Sequence, residues 1–330
     1  MRRSPSVHGS RSHGIHAARG VTLIELVVVI TITAIIATLL GAIIVRPIQG
    51  YQAQVRRAEL VDAAEMSLRR MGREIRQALP NSVRVRDSLG NVDNVTCSAA
   101  GVTCSLEILR TVDGARYRDG PGQIPGGHNH ANPIYRLQIP GTDNNGFNVV
   151  GFFPNIAIPF VSAAQVPSAR LAIYNQAANG PNSAYADAVL PIGPYVITNP
   201  ANTTFTIDND DGAPPDEHRI TLNTGNFNFR WASPNQRVFI VDTPVSYVCN
   251  AGANGNLTRY VNYPITAAQA VTPAGGSSAM MSAPVTACRF SYAAGSNTRT
   301  GLVSISLTLT DADSGEQVNL LYQVHVDNFP

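Results

Sequence analysis

From Val21 to Val45 the chain reads VTLIELVVVITITAIIATLLGAIIV, an apolar run whose one ionisable residue is Glu25. A run of this length crosses a hydrocarbon core about 30 Å thick, so it predicts a transmembrane helix. Past Pro47 the pattern becomes amphipathic. Leu60, Ala64, Leu68, Met71, Ile75 and Leu79 recur at spacings of three and four, which places them on one helical face. Arg56 with Glu59, Glu65 with Arg69, and Arg70 with Glu74 fall on the other faces at pairing distance. The helix is expected to end at Pro80-Asn81. Pro47 predicts a kink or a locally melted stretch between Gly41 and Gly50, unless it opens a second helix at its first turn.

From Val83 onward the period falls to two. It is clearest from Leu302 to Leu309, where Val303, Ile305, Leu307 and Leu309 alternate with Ser304, Ser306 and Thr308. Further strands are expected at Leu106–Arg110, Ile134–Ile139, Phe147–Phe153, Leu171–Tyr174, Arg219–Leu222, Arg237–Val241, Val245–Cys249, Ala287–Tyr292 and Val318–Val326. Stretches 120–133, 178–194 and 208–217 are dense in Gly, Pro, Asn and Asp and predict loops. The pattern therefore describes an α+β chain, with the Leu60 to Leu79 helix face packed on a sheet. No internal repeat or second domain boundary is visible.

Composition narrows this further. Of 330 residues 44% are hydrophobic, ample for a core, and only 14% are charged, which excludes a disordered chain. Arg2, Arg3, Arg11 and Arg19 precede the apolar run with no acid among them. By the positive-inside bias that flank stays cytoplasmic, and everything after Arg46 lies beyond the membrane. Without residues 1–20, twenty Arg face twenty-two acids, a net of −2, and there is no Lys in the chain. No basic stripe with interleaved aromatics is present, so no nucleic-acid partner is expected. A secretory signal peptide has an apolar stretch of about 7–15 residues, shorter than this one. A plain signal anchor explains the length but leaves Glu25 as a cost of at least about 2.5–3.5 kcal/mol.

Four cysteines in an extracytoplasmic chain favour disulfides. Chain order suggests Cys97 with Cys104 and Cys249 with Cys288, although three connectivities are possible and buried thiols are the alternative. His128-Asn129-His130 offers two metal ligands but lacks a third. Asp208-Asn209-Asp210-Asp211-Gly212 has the composition of a calcium loop, but Gly212 falls one position early and no Glu closes it. A solvated turn is the simpler reading there, with calcium at Asp208, Asp210 and Asp211 as the minority one. No cofactor is expected otherwise. There is no GxSxG, HExxH or phosphate-loop motif and no Cys-His pair, and His325 reads as a packed or surface strand residue. No catalytic residue is assigned, and the chain is not expected to be an enzyme.

Arg19-Gly20-Val21-Thr22-Leu23-Ile24-Glu25, followed at once by the apolar run, resembles the prepilin-type cleavage and methylation signature of type IV pilin-like proteins. The resemblance implies cutting between Gly20 and Val21 by a membrane prepilin peptidase and methylation of the new N-terminus at Val21. The family usually has Phe where this chain has Val21. It also implies a role for Glu25. One helical turn from the liberated amine, its carboxylate can neutralise the amine of a neighbouring subunit, and breaking such a buried pair costs about 3–5 kcal/mol; an unpaired Glu that snorkels or takes up a proton is the alternative. The domains expected on this basis are a leader at 1–20, a helix at 21–79 (21–45 transmembrane, 46–79 amphipathic) and a β-rich periplasmic head at 80–330.

Arg56–Glu65, Ala78–Arg84, Leu106–Arg118, Phe239–Cys249 and Gln323–Asn328 further resemble a minor pilin of mannose-sensitive haemagglutinin pilus biogenesis. Residues from about 120 to 235 carry no such resemblance. The family implies partners among major and minor pilins and the inner-membrane assembly platform. It implies a single-pass inner-membrane protein that moves into a surface pilus. A type II secretion pseudopilin shares the same leader, and a singly anchored periplasmic binding module is the rival of a different class.

Overall fold

Helix α1 runs Leu23–Arg76 and contains Pro47. In this computed structural model the described residues are 20–98, 101–119, 135–139, 146–190, 193–210, 217–223, 227–295 and 300–328. The chain divides into two compact units, Met1–Val55 and Arg56–Pro330.

In the first unit, Leu23–Gly41 is long and apolar enough to cross a membrane, with mean hydropathy 2.7 and no part of it buried. The Thr31 hydroxyl donates to the Val27 and Val28 carbonyls and Thr38 to that of Ile35, so these polar side chains are satisfied within the helix. The melted stretch expected around Pro47 is not seen, for residues 41–50 are helical. A proline deletes one donor from the ladder, and the bonds on either side hold the remaining turns.

Among the described residues the second unit carries fourteen strands and two short helices after α1. They are β1 (Arg84–Asp87), β2 (Asn94–Cys97), β3 (Thr103–Arg116), β4 (Gly146–Asn148), β5 (Phe160–Val161), α2 (Ser162–Gln165), β6 (Arg170–Ala172) and α3 (Ala184–Asp187). Then follow β7 (Phe205–Asn209), β8 (His218–Leu222), β9 (Arg237–Asn250), β10 (Asn256–Val261), β11 (Ser277–Ser282), β12 (Val285–Ala293), β13 (Gly301–Thr310) and β14 (Gln317–Val326). All pairings between named strands are antiparallel. The first sheet has the order β1-β3-β9-β10-β11, with β6 also on β9; the second is β14-β13-β12-β2 and the third β4-β8-β7-β5.

The expected amphipathic face does pack on sheet. Leu60, Ala64, Leu68, Met71 and Ile75 share a core with Val85, Leu106, Tyr247 and Leu257 of the first sheet and with Phe290, Ile305 and Val324 of the second. Gly72 sits so close to β14 that a Cβ there would lie 2.4 Å from the Tyr322 ring. Ser67 Oγ donates to the Met281 carbonyl of β11 at 3.1 Å. Glu74 does more than pair with Arg70. Its carboxylate also accepts from Arg259 Nε at 2.8 Å and from the Tyr247 hydroxyl. Burial raises the Glu74 carboxyl, yet these hydrogen bonds and the Arg259 and Arg70 charges outweigh it, leaving the group below the ordinary range.

A second core lies on the third sheet, built from Phe147, Phe160, Phe205, Ile207, Ile220 and Phe229. A third, with Leu79, Leu109, Tyr185, Val241 and Ile265, covers the other face of the first sheet. Strand expectations fared unevenly. Arg237–Val241 and Val245–Cys249 are one strand, β9, which runs through Pro244 with register shifts in its pairing to β3. In Phe147–Phe153 only the start is strand, and described residues 135–139 form none. The 178–194 loop contains α3, capped by Ser183, whose hydroxyl accepts from the Ala186 N–H at 3.1 Å.

Candidate functional site

Gly20, Val21 and Thr22 precede the first helical turn in non-helical conformation, and Gly20 and Val21 are exposed. Thr22 is the cap: its Oγ1 accepts from the Glu25 N–H at 3.3 Å, and its carbonyl accepts from the Leu26 N–H at 3.1 Å. Thr22 and Glu25 thus hold the two ends of a Thr-x-x-Glu pattern, with an acid in the first turn where the helix dipole favours it. The Gly20–Val21 bond therefore lies just outside a helix start fixed by local chemistry.

Gly20 has no packing reason to be glycine. A Cβ added there meets nothing within 4 Å. Glu25 is placed comparably: its carboxylate has no hydrogen-bond or ion-pair partner among the described residues, in a stretch whose hydroxyls at Thr31 and Thr38 do.

Residues 15–41 match the family described as the prokaryotic N-terminal methylation motif. The chain carries the prepilin-type motif. That match supports a type IV pilin-like protein, processed by prepilin peptidase and built in by pilus-assembly machinery, and the single apolar helix fits membrane anchoring. No curated protein and no solved structure matches the chain. The prepilin-type motif thus lies at one end, and the head stands on its own geometry.

In the head the four cysteines form two disulfides, Cys97–Cys104 and Cys249–Cys288. Each ties the first sheet to the second, β3 to β2 and β9 to β12. Cys97 lies opposite Cys288, and Cys104 opposite Cys249, on neighbouring strands, so all four sulfurs gather in one buried group. Among the described residues the one potential metal cluster is Cys97, Cys104 and Cys288, whose sulfurs are taken up in these bonds.

Of the calcium-loop residues, Asp210 accepts from Asn148 Nδ2 at 2.6 Å, and Asp208 accepts from the Asn209 N–H at 3.2 Å. Asp211 and Gly212 lie outside the described residues, as do His128 and His130. Beside Asp210, Arg118 grips both oxygens of Glu217, so the described part of this corner is an ion-pair network. His325 is exposed on β14, with Nδ1 3.3 Å from the Thr300 hydroxyl.

Sequence reasoning passed over His218. It is buried on β8, its ring stacks on Phe153 with centroids 6.2 Å apart, and its Nδ1 accepts from the Phe153 N–H at 3.0 Å. Burial holds the imidazole below its ordinary 6.5, against the pull of Asp113 and Asp208. The unfolded chain therefore takes up this proton first. His218 contributes stability that is complete above about pH 6.5 and is lost as pH falls through and below that value. Melting temperatures measured from pH 7.5 to 5 are expected to drop on the acid side, with a shallower drop in His218→Gln. An equal slope in that variant would remove His218 as the cause.

Proposed function

We propose that this chain is a minor pilin of a type IV pilus of the mannose-sensitive haemagglutinin type, resembling the biogenesis protein MshO. In this reading it acts by packing, without catalysis of its own. Prepilin peptidase cuts between Gly20 and Val21 and the new amine is methylated. The head lies in the periplasm with the Leu23–Gly41 helix in the inner membrane, and the subunit then joins major and minor pilins through the assembly platform. The observation that carries the reading is Glu25, an acid with no partner among the described residues, in the first turn of an otherwise uncharged apolar stretch that matches the prepilin-type motif. The amine freed at Val21 of an adjacent subunit would supply its counter-charge, and a buried acid without one is expensive.

Mass spectrometry of the mature chain is expected to show an N-methylated Val21 as the first residue. Glu25→Ala is expected to leave membrane insertion intact while markedly reducing the amount of subunit recovered in sheared pili. A retained leader at residues 1–20 would favour a singly anchored binding module. Processed Glu25→Ala recovered in pili at the normal level would exclude the docking role.

A further inference from the structure

Among the described residues the sheet edges of the head are short, with one exception. β1 and β2 have four residues each, β4 three, β5 two and β11 six, whereas the edge strand β14 has ten. Short edges are a common protection against pairing with another chain, as are charges, prolines and bulges. β14 has none of these protections. QVNLLYQVHV carries no Asp, Glu, Arg or Pro, and its register with β13 is unbroken. Among the described residues no hydrogen bond other than those to β13 reaches the backbone of Gln317–Val326. Alternate residues therefore offer free N–H and C=O groups along the open side.

The side chains say what fits there. Val318, Val324 and Val326 are buried on the inner face with Leu320 and Tyr322 half-buried, and the outer face carries Gln317, Asn319, Leu321, Gln323 and His325. Leu321 is 65% exposed amid an uncharged ladder in which Asn319 bonds Ser306 and Thr308, and Gln323 bonds Ser304. An added strand must therefore alternate apolar and uncharged polar residues and bring an apolar group to Leu321. β14 itself meets those terms. Paired antiparallel with a second β14 about Leu321, it sets Leu321 against Leu321, Asn319 against Gln323, Gln317 against His325, Leu320 against Tyr322 and Val318 against Val324. Like faces like at every position and no like charges meet.

We propose that β14 is a homotypic docking edge, by which two copies of this chain join their second sheets into one continuous eight-stranded sheet. The pairing rests on the head alone and stands whether or not the chain is a pilin. The chain's four cysteines are all bonded, so a cysteine introduced on β14 is its one thiol. Leu321→Cys in the full-length chain, purified in detergent and mildly oxidised, is expected to shift to a band at twice the chain mass. Residues opposite each other across an antiparallel pair have Cα atoms about 4.5–5.5 Å apart, within disulfide reach. Ser306→Cys, beside Leu321 on β13 and on the same face, is expected to stay monomeric. Its counterpart would be three strand spacings away, about 14 Å.

A monomeric Leu321→Cys, or equal crosslinking of both variants, would overturn the pairing. So would crosslinking in cell membranes to a protein of another mass, which would assign the edge to a different subunit. Hydrogen exchange on the unmodified chain reads the same contact. The β14 amides are expected to gain protection as protein concentration rises, and a rate independent of concentration would count against the second copy.

Discussion

Arg84→Met is expected to destabilise the head by about 3–5 kcal/mol, the usual cost of removing one partner from a buried ion pair. Arg84 and Glu107, on neighbouring strands β1 and β3, are both essentially inaccessible to solvent. Each guanidinium nitrogen donates one hydrogen bond. Nε bonds Glu107, Nη1 the Ala267 carbonyl at 2.9 Å and Nη2 the Thr266 carbonyl at 3.0 Å, while Cζ lies 3.5 Å from the Tyr185 ring centroid. Glu107 also accepts from the Tyr263 hydroxyl at 2.9 Å. Burial pushes the Glu107 carboxyl above its ordinary range, and Arg84 is the largest influence holding it down. Without Arg84 the carboxyl must take up a proton or remain an uncompensated charge, and two carbonyls lose their donor.

Urea unfolding followed through Trp231, the chain's single tryptophan, measures the loss. Arg84→Met combined with Glu107→Met should recover part of it, since an apolar pair of similar volume replaces a buried ionic one at small cost. Recovery should stay incomplete because the Thr266 and Ala267 carbonyls still lack a donor. A loss under about 1 kcal/mol in the single variant would show that water or a rearranged loop satisfies Glu107 instead.

Replacing Cys249 and Cys288 together by Ala is expected to cost about 4 kcal/mol, against about 2.4 kcal/mol for Cys97 with Cys104. The bridges close loops of 39 and 7 residues, and the denatured chain gains more freedom from the longer one. Both span the same two sheets at the same level of the core, so each replacement removes similar packing from the folded state and loop length sets the difference. Equal costs would mean that packing around the sulfurs outweighs chain entropy. The two disulfides also share neighbours, so deleting all four cysteines should depart from the sum of the pairs.

Much of the α+β architecture was legible because its signals are local. The Leu60 to Ile75 face and the alternation of β13 and β14 follow from helix and strand periods, and each is borne out by burial. The helix nevertheless stops at Arg76, short of Pro80, because Leu79 turns aside to donate its N–H to the Leu109 carbonyl. Strands β10 and β11 lie beyond what the pattern predicts. β10 is held by pairing with β9, and β11 by pairing with β10. In β9 the proline that splits the predicted strand in two is tolerated because register shifts near Leu109 and Thr111 relieve the ladder there.

The sequence by itself determined the apolar N-terminal helix, the prepilin-type motif around Gly20 and Val21, the isolated acid at Glu25 and the amphipathic face that packs on sheet. Each depends on residues within a few turns of one another, where period, capping and transfer from water decide the outcome. Only the tertiary structure decided that Arg84 would meet Thr266 across 182 positions of chain, that the four cysteines would converge, that His218 would be buried, and that β14 would be left as the long open edge. Alternation tells a strand which face turns inward. It does not name the neighbour, because pairing depends on contacts between segments far apart, and those exist only once the sheets have closed.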